Sequence, residues 1–271
     1  SALTATLEAL RDEDPDLLHS TGFVDEELGR LLALERGELE QDEIPIREGA
    51  SITKLGDIWQ LGKHRLLCGD NRDLGQVQRL MGESRADLIM SDPPYGVDYK
   101  GGSTPREALT NDDIKESKSY EQVLSETLTN AHTVAKTNAA LYLWFSDSQA
   151  VAICNAAHSA GFKRYAWIVW AKNHFAWSGQ SKQHYRQKHE MCLYASTGSK
   201  MPSWYGPNNE STLWEYDRPT RSKLHPTMKP VEMYARCVTN STKAGDLIYE
   251  TSLGSGTSLI AAEQLDRVCF G

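Results

Sequence analysis

The chain has 271 residues, of which 39% are hydrophobic, and it carries a formal net charge of −8 at pH 7. This length allows one large domain or two small ones, and no apolar run approaches the ~20 residues of a membrane span, so we expect no membrane partner. The amino terminus lacks the pattern of a signal peptide, and the five cysteines form no Cys-x-x-Cys pair or metal-ligand cluster. We therefore expect reduced thiols in a cytoplasmic protein without a metal centre.

The acidic charge is concentrated at one end of the chain. Residues 1–50 contain 14 acidic and 4 basic side chains, whereas residues 51–271 contain 23 acidic and 25 basic ones. Within 163–236 the balance is positive, with 12 Lys and Arg against 5 Asp and Glu. Charge separated in this way predicts a local basic face on an acidic protein.

The first 50 residues are predicted to be an acidic helical segment followed by a linker. Helices are expected around 7–11 and 26–36, and we assign no catalytic role to them. Residues 51–271 form the predicted main domain, in which 172–223 is an inserted region. Because Ser1 is not a natural start and a strand begins just before Gly271, we expect the chain to be truncated at both ends.

From residue 57 onward, strand-like and helix-like stretches alternate. Two short apolar runs on either side of Gly62-Lys63 predict a hairpin. Further strands are predicted at 86–90, 139–145, 165–171, 190–195 and 246–250, and helices at 74–81, 120–136, 149–160, 231–241 and from the last glycine turn to 264. This alternation is typical of an α/β domain with a doubly wound, mostly parallel sheet, whose core we expect to contain Trp144, Trp167 and Trp170.

The sequence Asp92-Pro93-Pro94-Tyr95 directly follows the strand predicted at 86–90. In an open α/β sheet, ligands bind at the carboxyl ends of the strands. The two prolines fix the backbone and remove two N–H donors, which leaves a carboxylate and bare carbonyl oxygens beside an aromatic ring. Such a group can accept hydrogen bonds from an amino group and stack on a flat base. The alternative is a proline-rich turn in which Asp92 caps the next segment.

This tetrapeptide resembles the catalytic motif of the amino-methylating DNA methyltransferases. The resemblance continues through Leu67–Asp70, His225–Pro230 and Leu253–Thr257, and the order of these motifs is similar to that of the permuted beta class. It implies a Rossmann-like fold and methyl transfer from S-adenosylmethionine to N6 of a flipped adenine in double-stranded DNA. Cytosine N4 is the alternative target. It also implies a bacterial or phage setting, with a second subunit and a restriction endonuclease as further partners.

The resemblance assigns roles to individual residues. Asp92 and the Pro93 carbonyl would accept the amine hydrogens, Pro94 would stiffen the turn, and Tyr95 would stack on the base. The cofactor would be bound by Asp70, Thr227, Lys229, Glu250, Leu253, Gly254, Ser255, Gly256 and Thr257. For Asp70, a helix cap before the helix at 74–81 is the alternative.

The strand before the glycine turn departs from the family pattern. The family has Asp-Pro-Phe/Tyr where this chain has Glu250-Thr251-Ser252, so an aromatic residue that packs on the cofactor is missing. We therefore expect weak binding of the methyl donor and low turnover by this chain. A catalytically silent DNA-binding module is the alternative from a different functional class.

Two regions are predicted to contact DNA. Residues 96–119 have no apolar period and are expected to form a mobile flap after the catalytic motif. In 172–223, aromatic residues including Trp204 and Trp214 alternate with basic ones, which suits phosphates and base edges. The predicted DNA-binding residues are Lys182, Arg186, Lys188, Arg218, Arg221 and Lys223. An irregular hairpin with ordinary surface charge is the alternative.

Overall fold

The computed structural model describes residues 2–13, 52–95, 120–173, 184–217 and 229–271. The helix predicted near 26–36 and the flap at 96–119 lie outside these residues. The same holds for five of the predicted site residues: Lys182, Arg218, Arg221, Lys223 and Thr227.

The described residues form nine strands and six α-helices. The strands are β1 (Ile58–Leu61), β2 (His64–Leu67), β3 (Ala86–Ser91), β4 (Ala135–Phe145), β5 (Lys163–Ala171), β6 (His189–Ser196), β7 (Leu213–Glu215), β8 (Leu247–Glu250) and β9 (Val268–Phe270). The helices are α1 (Ala2–Glu13), α2 (Leu74–Met81), α3 (Tyr120–Thr133), α4 (Ala150–Ser159), which follows a 3-10 turn at Asp147–Gln149, α5 (Val231–Ser241) and α6 (Thr257–Gln264). The predicted elements that fall in this part of the chain are confirmed, although β4 begins at Ala135 rather than Ala139 and β7 was not predicted.

All nine strands belong to one sheet, in the order β1-β2-β9-β8-β3-β4-β6-β5-β7. Among these described strands, only β1 and β6 run against the others, since β1 pairs antiparallel with β2, and β6 pairs antiparallel with β4 and β5. The prediction of a mostly parallel sheet is therefore confirmed. Because β6 and β7 lie within 172–223, the range predicted as an insertion also contributes two strands to the main sheet.

Side chains of the central strands alternate between two buried layers. On β4, Leu141 and Leu143 belong to the layer that includes α2, α3 and α4, whereas Tyr142 and Trp144 belong to the layer that includes α5 and α6. Trp144 and Trp170 are buried in the second layer, as predicted. Complete burial of a large apolar side chain stabilises a fold by about 1.5–3 kcal/mol, so both layers hold the sheet firmly.

The cysteines agree with the expectation of reduced thiols. All five cysteines carry free thiols, and burial raises the pKa of the Cys192, Cys237 and Cys269 thiols, which keeps them neutral. Among the described helices, none combines the length and the apolar character needed to cross a membrane.

The pairing of β3 with β8 determines which residues meet at the carboxyl edge of the sheet. The two strands are parallel neighbours, and Met90 lies opposite Glu250. Beyond the strands, the Thr251 N–H donates to the Met90 carbonyl over 3.0 Å, and the hydroxyls of Ser91 and Thr251 lie 2.6 Å apart. Asp92 and the turn that follows Glu250 therefore leave the sheet side by side.

Candidate active site

Asp92 lies at the carboxyl end of β3, as predicted. Its side chain is 22% exposed, so one side remains open to the surface. One carboxylate oxygen, Oδ1, accepts from the Tyr95 hydroxyl over 2.9 Å, and the other, Oδ2, accepts from the Lys229 ammonium. Pro93 is buried directly beside it, which fixes the position of its carbonyl.

Lys229 is the central cation of this site. Its side chain is only 3% exposed, and it precedes Pro230, the residue from which α5 begins. The ammonium contacts Asp92, the Tyr95 hydroxyl at 3.1 Å and Glu190 at 3.5 Å. Burial alone would lower the pKa of Lys229, but the carboxylates of Asp92 and Glu190 outweigh it and raise that pKa, so the lysine stays charged. The predicted pairing of Lys229 with a cofactor carboxylate stays a prediction.

Glu190 and Lys172 complete the cluster, and the sequence-based reasoning missed both. Glu190 accepts from the Lys172 ammonium through Oε1 and lies 3.3 Å from the Tyr95 hydroxyl through Oε2. Burial acts to raise the pKa of Glu190, but Lys229 and Lys172 together lower it, so it is ionised. The only signal in the sequence was an acidic residue at the start of a buried strand. Its place became clear only with the antiparallel direction of β6 beside β4, which puts that start at the carboxyl edge.

The glycine turn after β8 is open on the side where a ligand would lie. Gly254 and Gly256 have φ values of +53° and +80°, a region that favours glycine. A Cβ added to Gly256 would have no described atom within 4 Å, and one added to Gly254 would meet only the Ser252 carbonyl at 3.8 Å. Helix α6 begins directly afterwards at Thr257, whose hydroxyl lies 2.9 Å from that of Ser255. The turn thus offers free backbone at a positive helix end, as predicted.

Glu250, the last residue of β8, holds a buried carboxyl group beside this turn. It is 2% exposed, and its Oε1 accepts from the Ser252 N–H over 3.4 Å. Its Oε2 has no hydrogen-bond partner among the described residues. Burial and the nearby Asp92 charge raise the pKa of Glu250 to about 8. A buried acceptor without a partner, next to open glycine backbone, suits the cationic group of a ligand.

Asp70 lies in the loop between β2 and α2, close to the end of β8. Its carboxylate pairs with Arg72, at 2.6 Å from Nη2 and 2.9 Å from Nε, and Asn71 donates to the Thr251 carbonyl over 2.7 Å. The cap of α2 is Asp73, which accepts from the second and third N–H groups after it, so the alternative of Asp70 as that cap is wrong. Binding of a cofactor by Asp70 stays a prediction.

The predicted DNA-binding region is only partly described. Arg186 and Lys188 are exposed in the segment that leads into β6. Trp214, in contrast, is 2% exposed, and Trp204 packs half-buried against Tyr194. The expectation that Trp214 reaches the bases is therefore wrong, because its ring fills the core between Trp144 and Tyr142.

Comparison with known proteins agrees with this geometry. The family model N6_N4_Mtase, described as DNA methylase, matches residues 86–271, which is more than half of the chain. The chain belongs to the N6/N4 DNA methylase family. The predicted resemblance to amino-group DNA methyltransferases is thereby confirmed, whereas the permuted beta class stays a prediction.

Individual members of this family cover most of the chain at low identity. The type II methyltransferase M.HpaI of Haemophilus parainfluenzae is 24% identical over 211 residues, which are 70% of this chain and 64% of that protein. This chain therefore spans less than two thirds of that relative. The crystal structure of M1.HpyAVI has a TM-score of 0.55 at 17% identity, covering 75% of this chain and 88% of that one. The PvuII cytosine-N4-specific DNA methyltransferase has a TM-score of 0.59 at 15% identity, covering 76% and 80%. These likenesses confirm the predicted Rossmann-like methyltransferase fold.

Proposed function

We propose that this protein methylates the exocyclic N6 of adenine in double-stranded DNA, with S-adenosylmethionine as the methyl donor. The observation that carries the proposal is the position of Asp92. It is a charged acceptor on a rigid proline turn, and it leaves the sheet beside an open glycine turn on the neighbouring strand. A methyl acceptor and a methyl donor bound at these two turns would lie next to each other.

Asp92 would act on the amino group of the base. The lone pair of an exocyclic amine is delocalised into the ring, so the nitrogen is a weak nucleophile. Acceptors at the Asp92 carboxylate and the Pro93 carbonyl would draw both amine hydrogens out of the ring plane and localise that lone pair. Asp92 would also take the proton that the nitrogen releases when it gains a methyl group. The Tyr95 ring would stack on the flipped base.

The residues around the glycine turn fit the methyl donor. S-adenosylmethionine supplies an electrophilic methyl group on a sulfonium, and the electron pair of the broken carbon–sulfur bond stays on sulfur. Glu250 supplies a buried acceptor for the ammonium of the donor, and Leu253–Thr257 supply open backbone. Asp70 and Lys229 would hold the adenine amino group and the carboxylate, respectively.

The DNA would lie against the exposed segment before β6. Arg186 and Lys188 would neutralise phosphates there, together with four basic residues outside the described part of the chain: Lys182, Arg218, Arg221 and Lys223. A second subunit and a restriction endonuclease stay predicted partners.

Product analysis tests this function. The chain is incubated with duplex DNA of mixed sequence and methyl-labelled donor, and the DNA is digested to nucleosides. We expect labelled N6-methyladenine, and none from Asp92→Ala, which should keep its affinity for duplex DNA. If the product were N4-methylcytosine instead, the target base would be cytosine and not adenine. Absence of both products, with a protein extended to the length of its relatives as well, would reject it. Calorimetry with the donor tests the predicted weak binding, which tight binding would overturn.

A further inference from the structure

Two carboxylates share the same partners in the catalytic cluster. The side chain of Glu190 is 21% exposed, nearly the same as that of Asp92. Its Oε2 lies 3.5 Å from the Lys229 ammonium and 3.3 Å from the Tyr95 hydroxyl, and both of these groups also contact Asp92. Glu190 therefore faces Asp92 across one ammonium and one hydroxyl.

Sharing of the ammonium affects how well Asp92 can accept from an amine. In a buried site of low dielectric, an ammonium bound to Asp92 alone would neutralise most of its charge. Glu190 attracts the same ammonium, while Lys172 balances the second negative charge. The cluster thus has two negative and two positive groups, and Asp92 shares its only cation in the cluster, Lys229, with Glu190.

We propose that Glu190 is a positioning residue for amine methylation, because it attracts Lys229 and Tyr95 from the side opposite Asp92 and so weakens their hold on the two Asp92 oxygens, one of which must accept from the target amine. The inference rests on the proposed function. Glu190 touches neither the base nor the donor in this arrangement, and it acts through Lys229 and Tyr95.

Several other titratable groups lie near Lys229 and contribute to the electrostatic environment of its ammonium. Besides Asp92, Tyr95 and Glu190, the described groups close enough to interact with this charged cluster are Lys172 directly after β5, Cys192 on β6, Tyr234 on α5 and Glu250 on β8. Burial raises the pKa of Tyr234 and of Cys192, so both stay neutral. Glu190 and Asp92 are therefore the two carboxylates that touch the ammonium.

Steady-state kinetics separates positioning from a structural role. For Glu190→Gln we expect kcat to fall about 10–100-fold with KM for DNA changed by less than about threefold, since the lost contact acts on Asp92 and not on binding. Glu190→Asp, which keeps the charge, should recover part of kcat. Asp87→Asn is the matched control, because Asp87 is 18% exposed and pairs with Lys136 at the opposite end of β3. It should leave kcat unchanged.

A second measurement does not need activity. NMR of the Lys229 ammonium in the full chain should show that the pKa of Lys229 falls in Glu190→Gln and not in Asp87→Asn. If the unaltered chain methylates DNA but Glu190→Gln keeps its kcat, the inference about Glu190 fails alone. If the unaltered chain methylates no base, the proposed function fails, and a lower Lys229 pKa would show only that the ion network exists. An unchanged Lys229 pKa would overturn the network itself. If Glu190→Gln does not fold, Glu190→Asp replaces it: its shorter side chain draws the carboxylate away from Lys229 and Tyr95, so kcat and the Lys229 pKa should both fall, each by less than expected for Glu190→Gln, and no change in either would overturn the inference.

Discussion

The ends of β3 and β8 carry two carboxyl groups in opposite electrostatic situations. Asp92 follows β3 and accepts from the Lys229 ammonium and the Tyr95 hydroxyl. Glu250 ends β8 on the neighbouring strand, and its Oε2 has no hydrogen-bond partner in the described residues. The one carboxyl group is therefore compensated by the protein, whereas the other keeps a proton until something else compensates it.

This difference separates a site that is complete from one that depends on a ligand. The charges around Asp92 balance before any substrate binds, so the acceptor is preorganised. Around Glu250, burial and the negative charge of Asp92 make ionisation unfavourable and outweigh the more weakly acting Lys229 charge, and this raises the pKa of Glu250 to about 8. A cationic donor would supply the missing charge. Four substitutions test this comparison, and two of them have a matched control.

The largest effect is expected from removing Lys229, the cation that compensates Asp92. Lys229→Met leaves Asp92 without a cation and opposite the negative charge of Glu190, and we expect it to lower the free energy of unfolding by about 3 kcal/mol. Lys136→Met is the control, since its ammonium pairs with Asp87 at a position where Lys136 is 53% exposed, and it should cost less than about 1 kcal/mol. Urea unfolding at pH 7 measures both. If both variants lost the same free energy of unfolding, the buried ion pairs of Lys229 would contribute no more than the exposed pair of Lys136.

An effect of intermediate size, on the order of 2 kcal/mol, is expected from Glu250→Gln, and its size depends on pH. The folded protein holds the Glu250 proton up to about pH 8, whereas the unfolded chain loses it near the ordinary value of 4.5. Stability therefore falls as pH rises between these values, by at most about 1.4 kcal/mol per unit. The variant should be more stable than the unaltered chain at pH 8 and similar to it at pH 5.

Glu190→Gln is expected to change the stability at pH 8 in the opposite direction from Glu250→Gln. Because the pKa of Glu190 is lowered in the folded state, its ionisation contributes stability above the unfolded pKa, and this is lost as pH falls through the folded pKa. Glu190→Gln should therefore be less stable than the unaltered chain at pH 8. Urea unfolding at pH 5 and pH 8 measures both variants. If Glu250→Gln were destabilised equally at both pH values, Glu250 would be ionised in the folded protein.

The sequence predicted the residues that belong to short local patterns. The run before Asp92 is mostly apolar, and the two glycines before Thr257 have backbone conformations that other residues avoid, so both turns were identified in advance. Asp92 and the glycine turn are more than 150 residues apart in the chain, and only the parallel pairing of β3 with β8 brings them together.

The site residues that the sequence did not predict reach their positions through the directions of the strands. Glu190 contacts both Lys229 and Lys172 because β6 runs against both β4 and β5, and no local sequence pattern predicts that direction. Trp214 was misassigned for a related reason. Its neighbours Leu213 and Glu215 are exposed, but the ring turns inward at the edge of the sheet, where β7 pairs with β5. Composition identified a basic and aromatic region, and topology decided which of its members are buried.

The smallest effect is expected from a change in the backbone of the glycine turn that follows Glu250. Gly256 and Gly245 have nearly the same positive φ, +80° and +82°, and a Cβ added to either would meet no described atom within 4 Å. Replacement by alanine should therefore cost both positions the same backbone strain, about 1 kcal/mol. Gly245 lies in the turn before β8, at the other end of the strand from the glycine turn. Only Gly256→Ala should weaken S-adenosylmethionine binding in calorimetry, because its methyl group occupies space that the donor would fill. If both variants bound the donor equally well, the open backbone at Gly256 would not be the donor site.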